Sequence, residues 1–347
     1  MTGWPITGVD LTAAQVADVL KLAATASATD GVPPLSEHVL LHLRYDSSVP
    51  QQAGPQQAGP QQAGPQQAGR GADPDPGTGT GTGRNYVATV DGQIAAYAHL
   101  DPPEPEVSGE LVVDPGRRRQ GIGQALVGKL AAEANGHILQ LWAHGDRPAA
   151  ARLAMGTGFK RFRALWQMRR SLRDRLGEPE FPAGRRLRTF APGQDEDEWL
   201  SLNGRAFAKH PEQGGWTRHD LELREREPWF DPAGFFIAER DGQMAGFHWT
   251  KVHSAPEADP GARAGSAAAS KARPSVGEVY VVGVDPAEQG SGLGRALTLA
   301  GLHHLRDLGL AVAMLYVDED NTPAIRMYQA LGFTRTRTDA MYRRGTR

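Results

Sequence analysis

Cysteine is absent from all 347 residues. That excludes a disulfide framework, thiolate zinc sites and a cysteine nucleophile, and it fits a reducing compartment. A surplus of charge is missing as well, with 38 Lys+Arg against 40 Asp+Glu and a formal net charge of −2. Nucleic-acid binding needs a basic surplus or a basic face, so no nucleic-acid partner is expected. No apolar run approaches the roughly 20 residues that span a bilayer. The first 30 residues also lack a basic start followed by an apolar core. Neither membrane association nor a secretory signal is therefore expected, and the predicted location is cytoplasmic. Metal-ligand spacing is lacking too: His210, His248 and His253 form no helical pair, so no metal site is predicted.

Glycine and proline are plentiful instead, at 42 and 25 residues. Much of the excess is local. From Gln51 the chain reads QQAGP three times, then QQAG, and a GTGTGTG run follows from Gly77 to Gly83. A five-residue repeat with Pro and Gly in every copy forms no regular helix or strand and has nothing apolar to bury. Residues from about 46 to 84 are expected to be a disordered insertion. The Ala-, Gly-, Pro- and Ser-rich stretch from Ser254 to Ser275 reads as a second loop.

With those stretches set aside, the chain repeats itself. LVVDPGRRRQGIGQAL from Leu111 matches VGVDPAEQGSGLGRAL from Val282, with Asp114-Pro115 and Asp285-Pro286 at an offset of 171. DGQIAAYAH from Asp91 matches DGQMAGFHW from Asp241, each an Asp-Gly hairpin turn leading into a strand. Gly158-Phe159 matches Gly332-Phe333. Each half is expected to run helix, helix, strand, strand, strand, helix, strand, helix, strand. The opening helices fall at Ala13–Ala26 and Ser36–His42, then at Glu196–Ala208 and Thr217–Glu227. The fold class is α/β with a mixed sheet, in two domains at 1–170 and 189–347 joined by a charged linker at 171–188.

In both halves a strand ending in Asp-Pro leads through a Gly-x-Gly turn into an apolar helix. Glycine allows a tight turn, and the free N–H groups of the first helical turn then converge where the helix dipole favours an anion. This is a pyrophosphate site. The dinucleotide fingerprint fails, because Leu126 and Leu297 stand where its third glycine belongs. The pattern Gln/Arg-x-x-Gly-x-Gly occurs as Arg118-Arg119-Gln120-Gly121-Ile122-Gly123 and as Gln289-Gly290-Ser291-Gly292-Leu293-Gly294. At these residues the chain resembles the GNAT superfamily of N-acetyltransferases, whose acetyl-CoA pyrophosphate binds on such a loop. LYVDEDNTPAIRMYQALGF, from Leu315 to Phe333, adds that superfamily's following strand and helix. SEHVL at Ser36, HPEQGGW at His210 and FHWTKVH at Phe247 resemble the tandem-domain GNAT enzymes of mycothiol formation. The Ala-, Gly- and Arg-rich composition suits an actinobacterial genome.

The resemblance implies acetyl-CoA as co-substrate and the small molecule Cys-GlcN-Ins as acceptor; the protein is expected to be a monomer. Acetyl transfer to an amine calls for a base, a hold on the carbonyl oxygen and a proton for the leaving thiolate. Glu278 is the expected base, acting through water, and Tyr328 the expected acid. A strand-end carboxylate and a packing tyrosine are the plain alternatives. Backbone at Val282, Gly283 and Val284 is expected to meet the thioester, with a bulge at Gly283 freeing its N–H groups. The coenzyme is expected on Gln289, Gly290, Ser291, Gly292, Leu293, Gly294 and Arg295, with Asn321 and Arg326 touching it.

The corresponding first-half positions are Leu111, Val112, Val113, Arg119, Gln120, Gly121, Ile122, Gly123 and Gln124. Aligned without gaps, Glu278 falls on Val107, Tyr328 on Ala154 and Asn321 on Arg147. Glu110 falls on Val281 and is expected on the opposite strand face. The first half is therefore expected to keep a coenzyme loop without chemistry. By resemblance, Glu37, Glu212, Lys251, Glu278 and Tyr316 read the acceptor, although Glu212 as a helix cap and Lys251 as a solvated strand residue are the plainer readings. The competing functions are a GNAT enzyme for another amine, such as an aminoglycoside or a protein N-terminus, and a non-catalytic acyl-CoA sensor.

Overall fold

A computed structural model describes residues 4–45, 83–102, 106–253 and 275–345. The expected 46–84 insertion, except its last two residues, and the Ser254–Ser275 loop, except Ser275, lie outside the described residues. The chain divides into two compact units, one of Met1–Arg161 with Tyr342–Arg347, the other Phe162–Met341.

In the first unit β1 (Ile6–Val9), β2 (Arg84–Val90), β3 (Gln93–Leu100), β4 (Val107–Val113) and β5 (Leu139–Ala143) are neighbours in that order. The β4–β5 pair is parallel and the others are antiparallel. Helices α1 (Ala13–Asp30) and α2 (Glu37–Tyr45) precede the β2–β3 hairpin, while α3 (Ile122–Glu133) and α4 (Pro148–Gly156) flank β5 in sequence. Thr12 opens α1 with a reciprocal capping box to Gln15. Val19, Ala26 and Val39 bury one helical face against Tyr97 and Val112 of the sheet. The β2–β3 turn has Asp91 and Gly92 at φ 52° and 75°, the left-handed pair that a two-residue hairpin demands.

The second unit repeats the plan. β7 (Arg185–Thr189) precedes α5 (Glu196–Ala206), α6 (Pro211–Gly214) and α7 (Arg218–Glu225). The hairpin β8 (Phe235–Arg240) and β9 (Gln243–His253) follows, then β10 (Val276–Val284), α8 (Leu293–Asp307), β11 (Val312–Asp318), α9 (Thr322–Ala330) and β12 (Thr334–Arg344). Four aromatic residues, Trp199, Trp249, Phe235 and Phe247, fill the α5–α7 side of this sheet, all fully buried. The other side packs α8 and α9 against β6 (Lys160–Ser171) and β11 through Leu302, Leu305, Leu315 and Phe333.

Several expectations shift. Strand β6 ends the first half in sequence, yet it pairs antiparallel with β11 from Leu165↔Asp318 to Ser171↔Val312. The contact division falls after Arg161, so the β6 residues that pair with β11 lie in the second unit. Strand β7 occupies Arg185–Thr189, overlapping the expected linker, and pairs with β8. Strands β1 and β7 add one strand to the front of each half.

The bulge in β10 is at Tyr280, where the register to β9 shifts between Val279 and Val281, and not at Gly283. Tyr280 and Val281 both face the α5–α7 side while Val279 and Val282 face α8, which is how an inserted residue must sit. Gly283 is paired with Phe247 instead, and a Cβ there would come within 2.4 Å of the Phe247 ring.

Candidate active site

The bulge realigns the two halves. Counted through strand pairs, Gly109 opposite Leu100 corresponds to Val279 opposite Thr250, so Ser108 and not Val107 stands at the place of Glu278. Glu110 still matches Val281, but it does not lie on the opposite face. Its carboxylate accepts the Ser36 N–H at 2.6 Å before α2, on the side that corresponds to α5–α7. Burial pushes the Glu110 carboxyl up, yet His144 at 3.7 Å and that N–H hold it below the usual range. One extra residue in β10 reversed the ungapped phase.

In both units the parallel pair parts early. β10 follows β11 only from Gly277↔Ala313 to Val279↔Leu315, and β4 follows β5 only from Val107↔Leu139 to Gly109↔Leu141. Beyond Val279, β10 is held by β9 alone in the ladder. The Asp285 N–H bonds to Ala245 O, so by antiparallel alternation the Gly283 N–H also points to β9. Those of Val282 and Val284 point to the parted edge. By the same alternation, set by the Asp114 N–H on Ala95 O, Leu111 and Val113 present theirs and Val112 does not.

At the end of each strand lies the glycine loop. Gly290 and Gly292 stand at φ +80° and +89°, and a Cβ at either would meet nothing within 4 Å among the described residues. The N–H groups of Leu293, Gly294 and Arg295 open α8, and Ser291 Oγ accepts from Leu293 N at 3.3 Å. Buried Glu288 braces the loop from beneath, bonded by Arg185 and by Arg240 at 2.8 Å. Main-chain donors, a helix dipole and open space fit a pyrophosphate.

The first-half loop has the same backbone, with Arg119 at φ +67° and Gly121 at φ +89°. Gln120 and Gly121 lie exposed, and Ile122, Gly123 and Gln124 begin α3. Here Trp4 Nε1 donates to Gln120 O at 2.8 Å, and the indole lies 3.7 Å from where a Gly121 Cβ would sit. Arg118 is bound at two points to Asp30, at 2.9 and 2.7 Å.

Glu278 is buried, opposite Lys251 on β9 and Met314 on β11, and is no exposed strand end. Its Oε2 lies 2.6 Å from His253 Nε2. Lys251 is buried too, which removes the solvated-lysine reading, and its ammonium lies 4.1 Å from the centre of the Trp229 ring and 5.0 Å from that of Tyr280. The bulge puts Tyr280 there, and Arg224 Nε donates to its hydroxyl at 2.8 Å. Tyr316, two residues beyond Met314, shares the Glu278 face and receives a hydrogen bond from Gln167 at 2.9 Å. Desolvation, then the charges of Glu278 and Asp339, push its phenol up.

Glu212 lies exposed on α6, and Arg163 donates to it at 2.9 Å while also holding buried Asp318 at 2.5 Å. Glu37 opens α2 in the first unit. Tyr328 is on α9, on the opposite side of the sheet from Glu278, buried with Val279, Leu315 and Phe333. Burial pushes its phenol to about 12. Asn321 caps α9, its side chain accepting Ala324 N at 3.2 Å, and Arg326 is exposed one turn on. The site thus collects Glu278, Lys251 and Tyr316 on one sheet face, with Tyr328 across the sheet. Reasoning from sequence missed His253, Tyr280, Gln167, Arg163 and Trp4. Alternation along β9 from Lys251 could have found His253.

Two units, each with mixed strand pairing, a parted parallel pair and a glycine loop before a helix, define a tandem acyl-CoA N-acyltransferase. The Acetyltransferase (GNAT) family model matches residues 198–333, and an Acetyltransferase (GNAT) domain model matches 81–161. The tandem GNAT protein from the clavulanic acid biosynthesis pathway superposes with a TM-score of 0.64 at 21% identity, covering 98% of both chains. A GCN5-related N-acetyltransferase from Sphaerobacter thermophilus gives 0.60 at 22% identity, over 98% of this chain and 95% of that one.

Curated relatives are far more similar in sequence. The mycothiol acetyltransferase of Thermobispora bispora is 51% identical over 94% of this chain and 95% of its own. That of Thermomonospora curvata is 50% identical over 96% and 94%. The chain belongs to the GNAT acetyltransferase family and, within it, to the mycothiol acetyltransferases.

Proposed function

We propose that this acetyl-CoA-dependent N-acetyltransferase acetylates the cysteinyl amine of Cys-GlcN-Ins, giving mycothiol and CoA. The observation that carries the chemistry is the parted β10–β11 pair, with Glu278 and Tyr328 on its two sides and the α8 loop at its end. The similarity, over nearly the full length, to enzymes named mycothiol acetyltransferase supports this acceptor.

Acetyl-CoA supplies an activated acyl group as a thioester. Gln289 to Arg295 hold its pyrophosphate, and Val282 and Val284 N–H groups are the donors available along the parted edge, where charge gathers on the acyl oxygen. Asn321 and Arg326 flank the coenzyme from α9. An α-ammonium has a pKa near 8, so a modest base suffices. Glu278 takes the amine proton, the N–C bond forms and the C–S bond breaks. Tyr328 keeps its proton at neutral pH because burial raises its phenol, and it returns that proton to the thiolate. Lys251, Glu212 and Tyr316 hold the sugar and inositol hydroxyls.

The first half has Ser108, Ala154 and Arg147 at the places of Glu278, Tyr328 and Asn321, so it binds without turning over. The enzyme acts as a cytoplasmic monomer without metal.

The test is CoA release with Cys-GlcN-Ins, with GlcN-Ins lacking cysteine, and with a set of peptides. Turnover with the first alone is expected. Equal rates with peptides would overturn the acceptor assignment, and no CoA release with any amine would overturn the activity.

A further inference from the structure

Glu278 is 6% exposed, and a carboxylate taken out of water needs a partner that holds its charge. Its register neighbour on β9 is Lys251, but the 2.6 Å hydrogen bond comes from one alternation further along, from His253 opposite Val276. Residues two apart on a strand share a face, and a diagonal cross-strand pair is within reach of a long side chain. The two side chains differ sharply in access: 8% of the Glu278 side chain is exposed against 39% of the His253 side chain. The imidazole therefore stands at the rim of the site with one nitrogen on the carboxylate.

We propose that His253 is the positioning residue of the acetyl-transfer reaction. Its Nε2–H donates to Glu278 Oε2, which fixes the carboxylate plane and leaves Oε1 as the atom that takes the amine proton. This rests on Glu278 as base. A carboxylate held at one oxygen loses its freedom to rotate about the terminal bond, and misplacement of a reacting atom by an ångström can cost about 100-fold. The Lys251 ammonium lies 4.1 Å from the centre of the Trp229 ring and 5.0 Å from that of Tyr280.

Four full-length variants test the proposal: His253→Ala, His253→Gln, Glu278→Gln and the Ala/Gln double variant. Each is assayed for kcat, for KM toward both substrates, for acetyl-CoA affinity at equilibrium, and for melting temperature. His253→Ala should lower kcat by roughly 30-fold or more. Acetyl-CoA affinity and melting temperature should stay as in the parent. Gln carries an N–H of similar reach and should restore kcat to within about threefold. The double variant should be no worse than Glu278→Gln alone, because two residues acting through one atom are not additive.

A His253→Ala enzyme with parental kcat would overturn the proposal while leaving Glu278 as base. So would equal losses in the Ala and Gln variants. Parental turnover by Glu278→Gln would instead overturn the base itself.

Discussion

Tyr328 owes its proposed role to being kept neutral. Its ring packs edge-on against Phe333 at 5.8 Å inside a core of aliphatic side chains, where a phenolate would lack solvation. With its phenol at about 12, it remains an acid across the working range. Tyr328→Phe should therefore cut kcat by about 100-fold or more while the melting temperature holds, as general-acid removal does elsewhere. Stopped-flow detection of CoA thiol would read it. His248 makes a separate prediction about stability. It is fully buried, its Nδ1 lies 2.7 Å from Leu297 O, and burial pushes it down from 6.5 to about 4. Between those values the unfolded chain binds a proton that the folded chain refuses. Stability is complete above about 6.5 and is lost as pH falls toward 4. Replacing it with Gln should flatten the melting temperature between pH 6.5 and 4.

Among the elements, β10 separates the second half from its twin. Its inserted residue carries Tyr280, which joins Arg224 and the Trp229 ring around Lys251. Because β4 forms its ladder without such a residue, deleting Tyr280 should leave the fold and coenzyme affinity nearly intact. The KM for the acceptor should rise about tenfold or more, read by steady-state kinetics. Gly283→Ala makes the opposite prediction. Its methyl would strike the buried Phe247 ring, so stability should fall by about 1–3 kcal/mol in a denaturant melt.

The long periodic helices, both Asp-Gly hairpins and both glycine loops were legible in the sequence, since each rests on local spacing. β1 and β7 were not, because four or five residues carry too little pattern and RRLRT resembles a linker. The bulge was hidden because an ungapped repeat cannot display an insertion. His253 was hidden because its partner is on another strand, 25 residues on. Glu278 and Tyr328 were proposed where local motifs and a family pattern coincided, and Tyr316 from the family pattern alone.

At the scale of the molecule, two compact units carry one glycine loop each, with the same left-handed glycine at position 121 or 292. A glutamate at either place puts a negative charge where an anion belongs. Gly292→Glu should abolish turnover, whereas Gly121→Glu should remove one binding event and spare kcat. Equilibrium binding of acetyl-CoA beside kcat would separate the two, and total loss of activity in Gly121→Glu would contradict the division of labour.

Arg119 stands at φ +67°, where the second-half loop has Gly290 at +80°. A left-handed backbone costs a residue with a side chain about 1–2 kcal/mol. The first loop thus holds its partner's shape without the residue that makes that shape easy. That tension makes Arg119→Gly a rare kind of substitution, one that should raise the melting temperature of the whole chain while leaving its chemistry alone.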